Sequence, residues 1–411
     1  MSAGTDGVSA AVAASFDRMW DELSDIGRDR VTDGYRRFAW TREDAALRAW
    51  FAGAARDRGL EVTTDRVGNL WAWSADPDAA VRAGRAPLVL GSHLDSVPDG
   101  GAFDGPLGIV SAFAALDVLE LTGADRELTR PLGVVCFADE EGARFGIACA
   151  GSRLLTGALD PERAGGLRDD HGVTMAEAMR RAGASTDHLG RDEDALARIG
   201  IYVELHVEQG RGLVDLRAPV AVGSSIRPHG RWRLDLHGRA DHAGTARMAD
   251  RDDPMLRLAT AVVAGHAAAR ELAGLATIGK VRVEPGAVNA VASLVTAWLD
   301  VRGPHEEAVR GIREAVELAA GTDAELESYT GPTPFDPVLR ERLAAVLGHV
   351  PVLDTGAGHD AGVLAAAGIE TAMLFVRNPT GISHSPEEFA EPGDCHLGVL
   401  ALATVITELA G

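Results

Sequence analysis

Lysine is almost missing from the 411 residues: Lys280 is the single example among 40 basic side chains, so positive charge is carried by arginine. Genome composition explains that bias as well as selection for bidentate chemistry does, and no function is attached to it. Cysteine is scarce too. Cys136, Cys149 and Cys395 are odd in number and lack CxxC or zinc-finger spacing, which suits thiols packed as small hydrophobes in a reducing compartment better than a disulfide framework. No stretch approaches the roughly 18 uninterrupted apolar residues of a membrane span. The first residues carry Asp6 where an export signal needs positive charge. A cytoplasmic protein with no membrane partner is expected. Positive charge is in deficit overall: a net −21 repels nucleic acid, and no local basic patch offsets it.

What is present is ordinary globular composition, 46% hydrophobic and 25% charged, in a chain long enough for two domains. "PLVLGSH" (87–93) reads as a buried strand, "GIVSAFAALDVLELTG" (108–123) as a helix, and "RPLGVVCFADEEG" (130–142) as a second buried strand. "IGIYVELHVEQG" (199–210) repeats the pattern. Chemistry placed after each strand predicts an α/β sheet with its site at the carboxyl ends of the strands. Between 218 and 327 the texture becomes alternating strands with two helices, which predicts a smaller α+β domain inserted between 1–217 and 328–411.

Residues 91–105, "GSHLDSVPDGGAFDG", concentrate His93, Asp95, Asp99 and Asp104 on glycine-rich backbone. Singly, such residues often do no more than line a surface loop or cap a helix. Together they form a ligand set. His93 and Asp95 make an H-x-D pair in which the carboxylate can hold the imidazole in one tautomer. Glu140 and Glu141 are adjacent, a costly arrangement for two buried anions unless a divalent cation neutralises one. His206 closes the third strand, and His384 lies in "GISHS" after the last. Asp99 has no role in this set.

In order along nearly the whole chain, "GSHLDS", "FDG", "DEEGARF", "ELHVEQG", "DHAGT", "VN", "DVR", "GAGHDA" and "GISHSPEE" resemble the M20 family of two-metal hydrolases, in its N-carbamoyl-L-amino acid hydrolase and allantoate amidohydrolase group. The resemblance implies a metal-hydrolase catalytic domain with a mixed central sheet and an inserted lid or dimerisation domain. It implies one metal held by His93, Asp104 and His206 and another by Asp104, Glu141 and His384, with Asp104 bridging. Two such ions about 3.5–4 Å apart activate a shared water. Glu140 would be the proton carrier, and Asp95 would support His93. Mixed His and carboxylate donors suit zinc first, and tolerate manganese, cobalt or nickel.

The resemblance further implies a small ureido substrate bearing a carboxylate, gripped by Arg302 and Asn289. His242 would polarise the scissile carbonyl from the partner subunit of a homodimer, and Gln209 and Gly358 would line the site. Departures occur at "IRPHGRW" (226–232), where the group's allantoate enzymes carry a different string, and at "HAGTARM", where Arg247 follows a replaced proline. Arg227, His229, Arg247 and Arg377 have open roles, a second anion contact or a structural one for the arginines. The expected activity is removal of the carbamoyl group from N-carbamoyl-L-amino acids. The alternatives are allantoate hydrolysis, dipeptide or N-acyl-amino acid hydrolysis, for which His206 is a contrary feature, and a catalytically silent binding protein.

Overall fold

Four apolar segments form the parallel centre of one sheet. The computed structural model describes residues 2–411, with side chains from residue 7, so the side chain of Asp6 lies outside the described residues. Contacts divide the chain into two units: residues up to Ser225 together with Pro334–Gly411, and the continuous stretch Ile226–Thr333. In chain order the strands before the smaller unit are β1 (Glu61–Thr64), β2 (Leu70–Trp73), β3 (Leu88–His93), β4 (Leu132–Phe137), β5 (Ile201–Val207) and β6 (Val220–Ile226). The smaller unit supplies β7 (His229–His237), β8 (Asp241–His242), β9 (Leu275–Glu284), β10 (Ala290–Val291), β11 (Leu294–Arg302) and β12 (Glu325–Thr330). After them come β13 (Thr333–Pro334), β14 (Val352–Thr355) and β15 (Glu370–Val376).

The larger unit holds a nine-stranded mixed sheet in the order β1-β2-β4-β3-β5-β15-β6-β13, with β14 also paired to β6. Neighbours β4, β3, β5 and β15 run parallel, while β2 and β6 flank them antiparallel. Every residue of β3, β4 and β5 is buried, as expected for parallel strands covered on both faces. Because the four run the same way, the loops after them leave from one edge. The helix Pro106–Thr122 begins immediately after the first of these loops. Pro106 sits in its first turn, where no backbone N–H is needed, and Gly123 ends it in the left-handed region. Leu107, Ile109 and Phe113 on it are fully buried, each worth about 1.5–3 kcal/mol by area removed from water.

The C-terminal helix Pro392–Ala410 is long and apolar enough, by composition alone, to cross a membrane, which the sequence expectation did not flag. It is a core helix: Val399, Leu402, Val405 and Ile406 join the same apolar cluster as β3, β5 and Ile109.

The smaller unit has a four-stranded antiparallel sheet, β12-β7-β11-β9, and a two-stranded pair, β8 with β10. Burial alternates along β7 and β11, so one face packs Leu234, Leu236, Val295 and Leu299 against Leu258, Ile312 and Val316 of the helices Pro254–Glu271 and Glu306–Ala320. The boundaries differ from 218 and 327. β6 pairs with β15, which assigns residues 220–225 to the large sheet, and β12 pairs with β7, which carries the small sheet on to Thr330.

Candidate metal centre

Asp104 lies at the middle of the ligand set. Its Oδ1 is 3.5 Å from His93 Nε2 and 3.2 Å from His206 Nε2. Its Oδ2 is 3.3 Å from His384 Nε2, which is itself 3.5 Å from Glu141 Oε2. The donors therefore form two groups, His93–Asp104–His206 and Asp104–Glu141–His384, each with its atoms within 4.8 Å of one another. Nε2 of His93, Nε2 of His206 and Oε1 of Glu141 are buried without a hydrogen-bond partner. Buried polar atoms are normally satisfied. Converging donors that are left unsatisfied, imidazole and carboxylate in type, fit divalent metal ions.

Backbone fixes the rings. His93 Nδ1 lies 3.1 Å from the carbonyl of Asp95, and His206 Nδ1 lies 2.9 Å from the carbonyl of Val207. A carbonyl only accepts, so each Nδ1 donates and each Nε2 is left to face Asp104. Asp95 touches both the His93 ring and the loop of the two glutamates. Its carboxylate is 3.5 Å from His93 Nδ1, farther than its own carbonyl. The carboxylate also accepts the backbone N–H groups of Glu140 at 3.1 Å and Glu141 at 3.0 Å, setting the loop that carries both glutamates.

Two of the loop's glycines answer to close approach. A β-carbon at Gly105, where φ is +86°, would sit 2.5 Å from the His93 ring, and one at Gly101 would sit 2.3 Å from Cβ of Glu388. Glu388 explains that second contact. Its Oε2 accepts the N–H groups of Phe103 and Asp104, both at 2.9 Å, and its Oε1 accepts the Ser383 hydroxyl at 2.8 Å. One buried carboxylate thus ties the Asp104 loop to the His384 loop. Gln209 joins them too, donating to Asp104 Oδ2 at 2.8 Å and Ser383 Oγ at 3.1 Å. Asp99 belongs elsewhere: it pairs with Arg36 at 3.0 Å and accepts the Thr32 hydroxyl.

Electrostatics reflect this crowding. Burial opposes charge on His93, yet Glu140, Asp104 and Asp95 outweigh it and raise the imidazole well above its ordinary value. Against the same penalty, Asp104 and Glu204 raise His206 to about 9. Burial pushes Asp104 up, but His206, His384 and His93 hold it well below the usual carboxylate range. Burial drives Glu141 well above that range, reinforced by Asp104 and Glu140.

Glu204, His359, Asp360 and Glu388 were not singled out from sequence, although each stands inside a quoted motif. Glu204 lies two residues before His206 on the same strand face, a spacing that could have marked it. It accepts the Ser92 hydroxyl and the Ala361 N–H, both at 3.0 Å. The His359 ring packs 4.5 Å from His206, and Glu204, His206 and His359 form a third close donor group. Asp360 accepts the Ser152 hydroxyl.

In the smaller unit, His242 and Asn289 come together, because β8 pairs with β10 and Ala243 N–H donates to the Asn289 carbonyl at 2.9 Å. Both side chains are exposed. Arg302 ends β11 directly opposite His229 and is held by Asp300, Nε to Oδ1, at 2.9 Å. His229 Nδ1 lies 3.0 Å from the Arg227 carbonyl, and Arg247 pairs loosely with Asp250 at 3.6 Å. In the larger unit Gly358 sits half-buried in the loop before the helix Asp360–Ala366. Arg377 is engaged by both oxygens of Asp394, at 2.8 and 3.0 Å, a structural pairing in place of an anion contact.

Comparison with known proteins gives the family. The family model for peptidases M20/M25/M40 matches residues 89–408. An N-carbamoyl-L-amino acid amidohydrolase of Geobacillus stearothermophilus is 35% identical, over 96% of this chain and 98% of that protein. A probable allantoate deiminase of Oryza sativa subsp. japonica is 31% identical, over 94% of this chain and 87% of that protein. The crystal structure of an amidase of the hydantoinase/carbamoylase family from Burkholderia vietnamiensis superposes with a TM-score of 0.84 at 30% identity, covering 96% and 97% of the two chains. With more than three-quarters of its length matched by the family model, the chain belongs to the M20/M25/M40 family, whose enzymes use divalent metal ions.

Proposed function

We propose that this protein is a metal-dependent amidohydrolase that cleaves the carbamoyl C–N bond of N-carbamoyl-L-amino acids, giving the L-amino acid, ammonia and carbon dioxide. The observation that carries the reading is the pair of donor groups sharing Asp104, with Glu140 Oε2 beside them at 3.7 Å from His93 Nε2. The 35% identical amidohydrolase supplies the substrate class.

His93, Asp104 and His206 would hold one ion, and Asp104, Glu141 and His384 the other, zinc by preference, with manganese, cobalt or nickel suited to the same donors. When bound, such ions supply Lewis acidity toward a carbonyl oxygen and acidify water. Glu140 takes a proton from the attacking water at Oε2 and returns it to the leaving nitrogen. His242, reaching in from the partner subunit of a homodimer, donates to the carbonyl oxygen as it gains charge. Arg302 offers its fork to the substrate carboxylate, Asn289 acts from beside His242 at the opposite end of β11, and Gln209 and the Gly358 backbone are the polar groups of the larger unit.

A homodimer fits the smaller unit, where edge strand β9 is exposed along most of its length and Val262 and Val263 face solvent from a helix. Light scattering should give about twice 43.0 kDa. The three buried free thiols support a reducing, cytoplasmic setting.

The test is ammonia release from metal-loaded protein offered N-carbamoyl-L-amino acids and allantoate in parallel. Turnover of the carbamoyl amino acids is expected. Faster turnover of allantoate would move the assignment to the activity named for the rice relative, and silence on both would end the ureido reading.

A further inference from the structure

Glu140 has a contact that the proposed chemistry leaves unused. After β4 the chain makes an excursion through residues 142–148 and returns alongside itself. Cys149 N–H donates to the Glu140 carbonyl, Ala150 N–H to that of Asp139 at 3.0 Å, and Gly151 N–H to that of Ala138 at 2.9 Å. The return sets residue 149 beside residue 140. Cys149 takes the left-handed region there, φ +55°, which is uncommon for a residue with a β-carbon. Its side chain is buried, 2% exposed, and its Sγ lies 3.1 Å from Glu140 Oε1. The other oxygen, Oε2, is the one near His93.

We propose that Cys149 is a positioning residue for Glu140: its thiol donates to Oε1 and so leaves Oε2 directed at the shared ligand set as the oxygen that carries the proton. The proposal rests on the reading of Glu140 as the proton carrier. The thiol is suited to the task in two ways. Burial pushes it well above the ordinary thiol value, with Glu140 adding to the effect, so the donor hydrogen stays in place. A thiol is also a weaker donor than a hydroxyl or an amide, so it fixes direction without strongly stabilising the carboxylate anion. Cys136, also buried, reaches a backbone carbonyl at 3.9 Å, which shows that burial of a cysteine does not by itself create this contact.

Infrared spectroscopy of the S–H stretch tests the contact without any turnover. The Cys149 band, isolated as the difference between wild type and Cys149→Ser, should move to higher frequency in Glu140→Ala, in metal-free and metal-loaded protein alike. An unmoved band overturns the proposal. Kinetics test the role. Cys149→Ala should lower kcat about tenfold, the effect of one hydrogen bond, with KM and bound metal unchanged. Cys149→Ser, which keeps a donor but loses the sulfur's volume, should recover to within about threefold of wild type on the same scale. A wild-type kcat in Cys149→Ala, or a Cys149→Ser as slow as Cys149→Ala, overturns the role and leaves packing as its explanation. Absence of ammonia from wild type would count against the substrate reading alone, since the infrared band decides the contact either way.

Discussion

At the scale of the residue, two neighbours with the same side chain have different surroundings. Glu141 faces His384, and Glu140 faces His93 and Cys149. Glu140→Gln is therefore expected to keep full metal content, read by elemental analysis, while kcat falls about 10²- to 10⁴-fold, the span of a positioned acid–base group. Loss of metal in that variant would make Glu140 a ligand and sink the division. A second expectation concerns protons. His206 sits at about 9 in the metal-free protein, above the ordinary imidazole value. Its contribution to stability is accordingly full below the unfolded value of about 6.5 and fades as pH rises through about 9. Metal must displace that proton, so adding zinc at pH 7.5 should release protons into a weakly buffered indicator solution, and affinity should climb with pH up to about 9. Zinc uptake without acidification would contradict the raised value.

At the scale of the element, the same carboxylate serves two loops. Glu388→Gln loses its charge-assisted hold on the amides of Phe103 and Asp104, and a 10- to 100-fold weaker metal affinity is expected, the usual cost of removing a group that orients ligands. Gly101→Ala should reproduce the defect from the other side, because its β-carbon needs the space that Glu388 occupies. Competition with a chromophoric chelator measures both; wild-type affinity in either variant would detach the loops from one another. Elements of this kind mark what sequence could reveal. The buried strands β3, β4 and β5 and the ligand types at their ends are local patterns of hydrophobicity and residue choice, and they were legible. Glu388 touches residues 284 and 285 positions away, and no local pattern encodes such a partner. Asp95 shows the intermediate case. The H-x-D spacing marked it as a support for His93, and local spacing shows neither that its carbonyl is the nearer contact to the ring nor that its carboxylate also serves β4's loop. The inserted unit was legible, while its edges lie at 226 and 333 in place of 218 and 327, since nothing within "VAVGSSI" announces that it will pair with β15.

At the scale of the whole molecule, all five expected ligands lie in the larger unit, and residues 226–333 form a unit of their own. Ions that bind only the folded larger unit stabilise it by mass action, about 2.7 kcal/mol at a hundredfold excess over Kd. Calorimetry before and after chelation should show one transition falling and the other holding, and equal movement of both would overturn that independence. The order of strands in the large sheet also matters while the chain is being made. β15 lies between β5 and β6, yet it is synthesised after the entire smaller unit. A nascent chain therefore holds residues 226–333 with every strand they need, while β5 and β6 wait with open edges for a partner still inside the ribosome. Open edges of buried, apolar strands are adhesive. Chains that stop short of residue 370 lack the strand that seals the sheet and, with it, His384, so the last-made segment determines both whether the product stays soluble and whether its second ligand group exists.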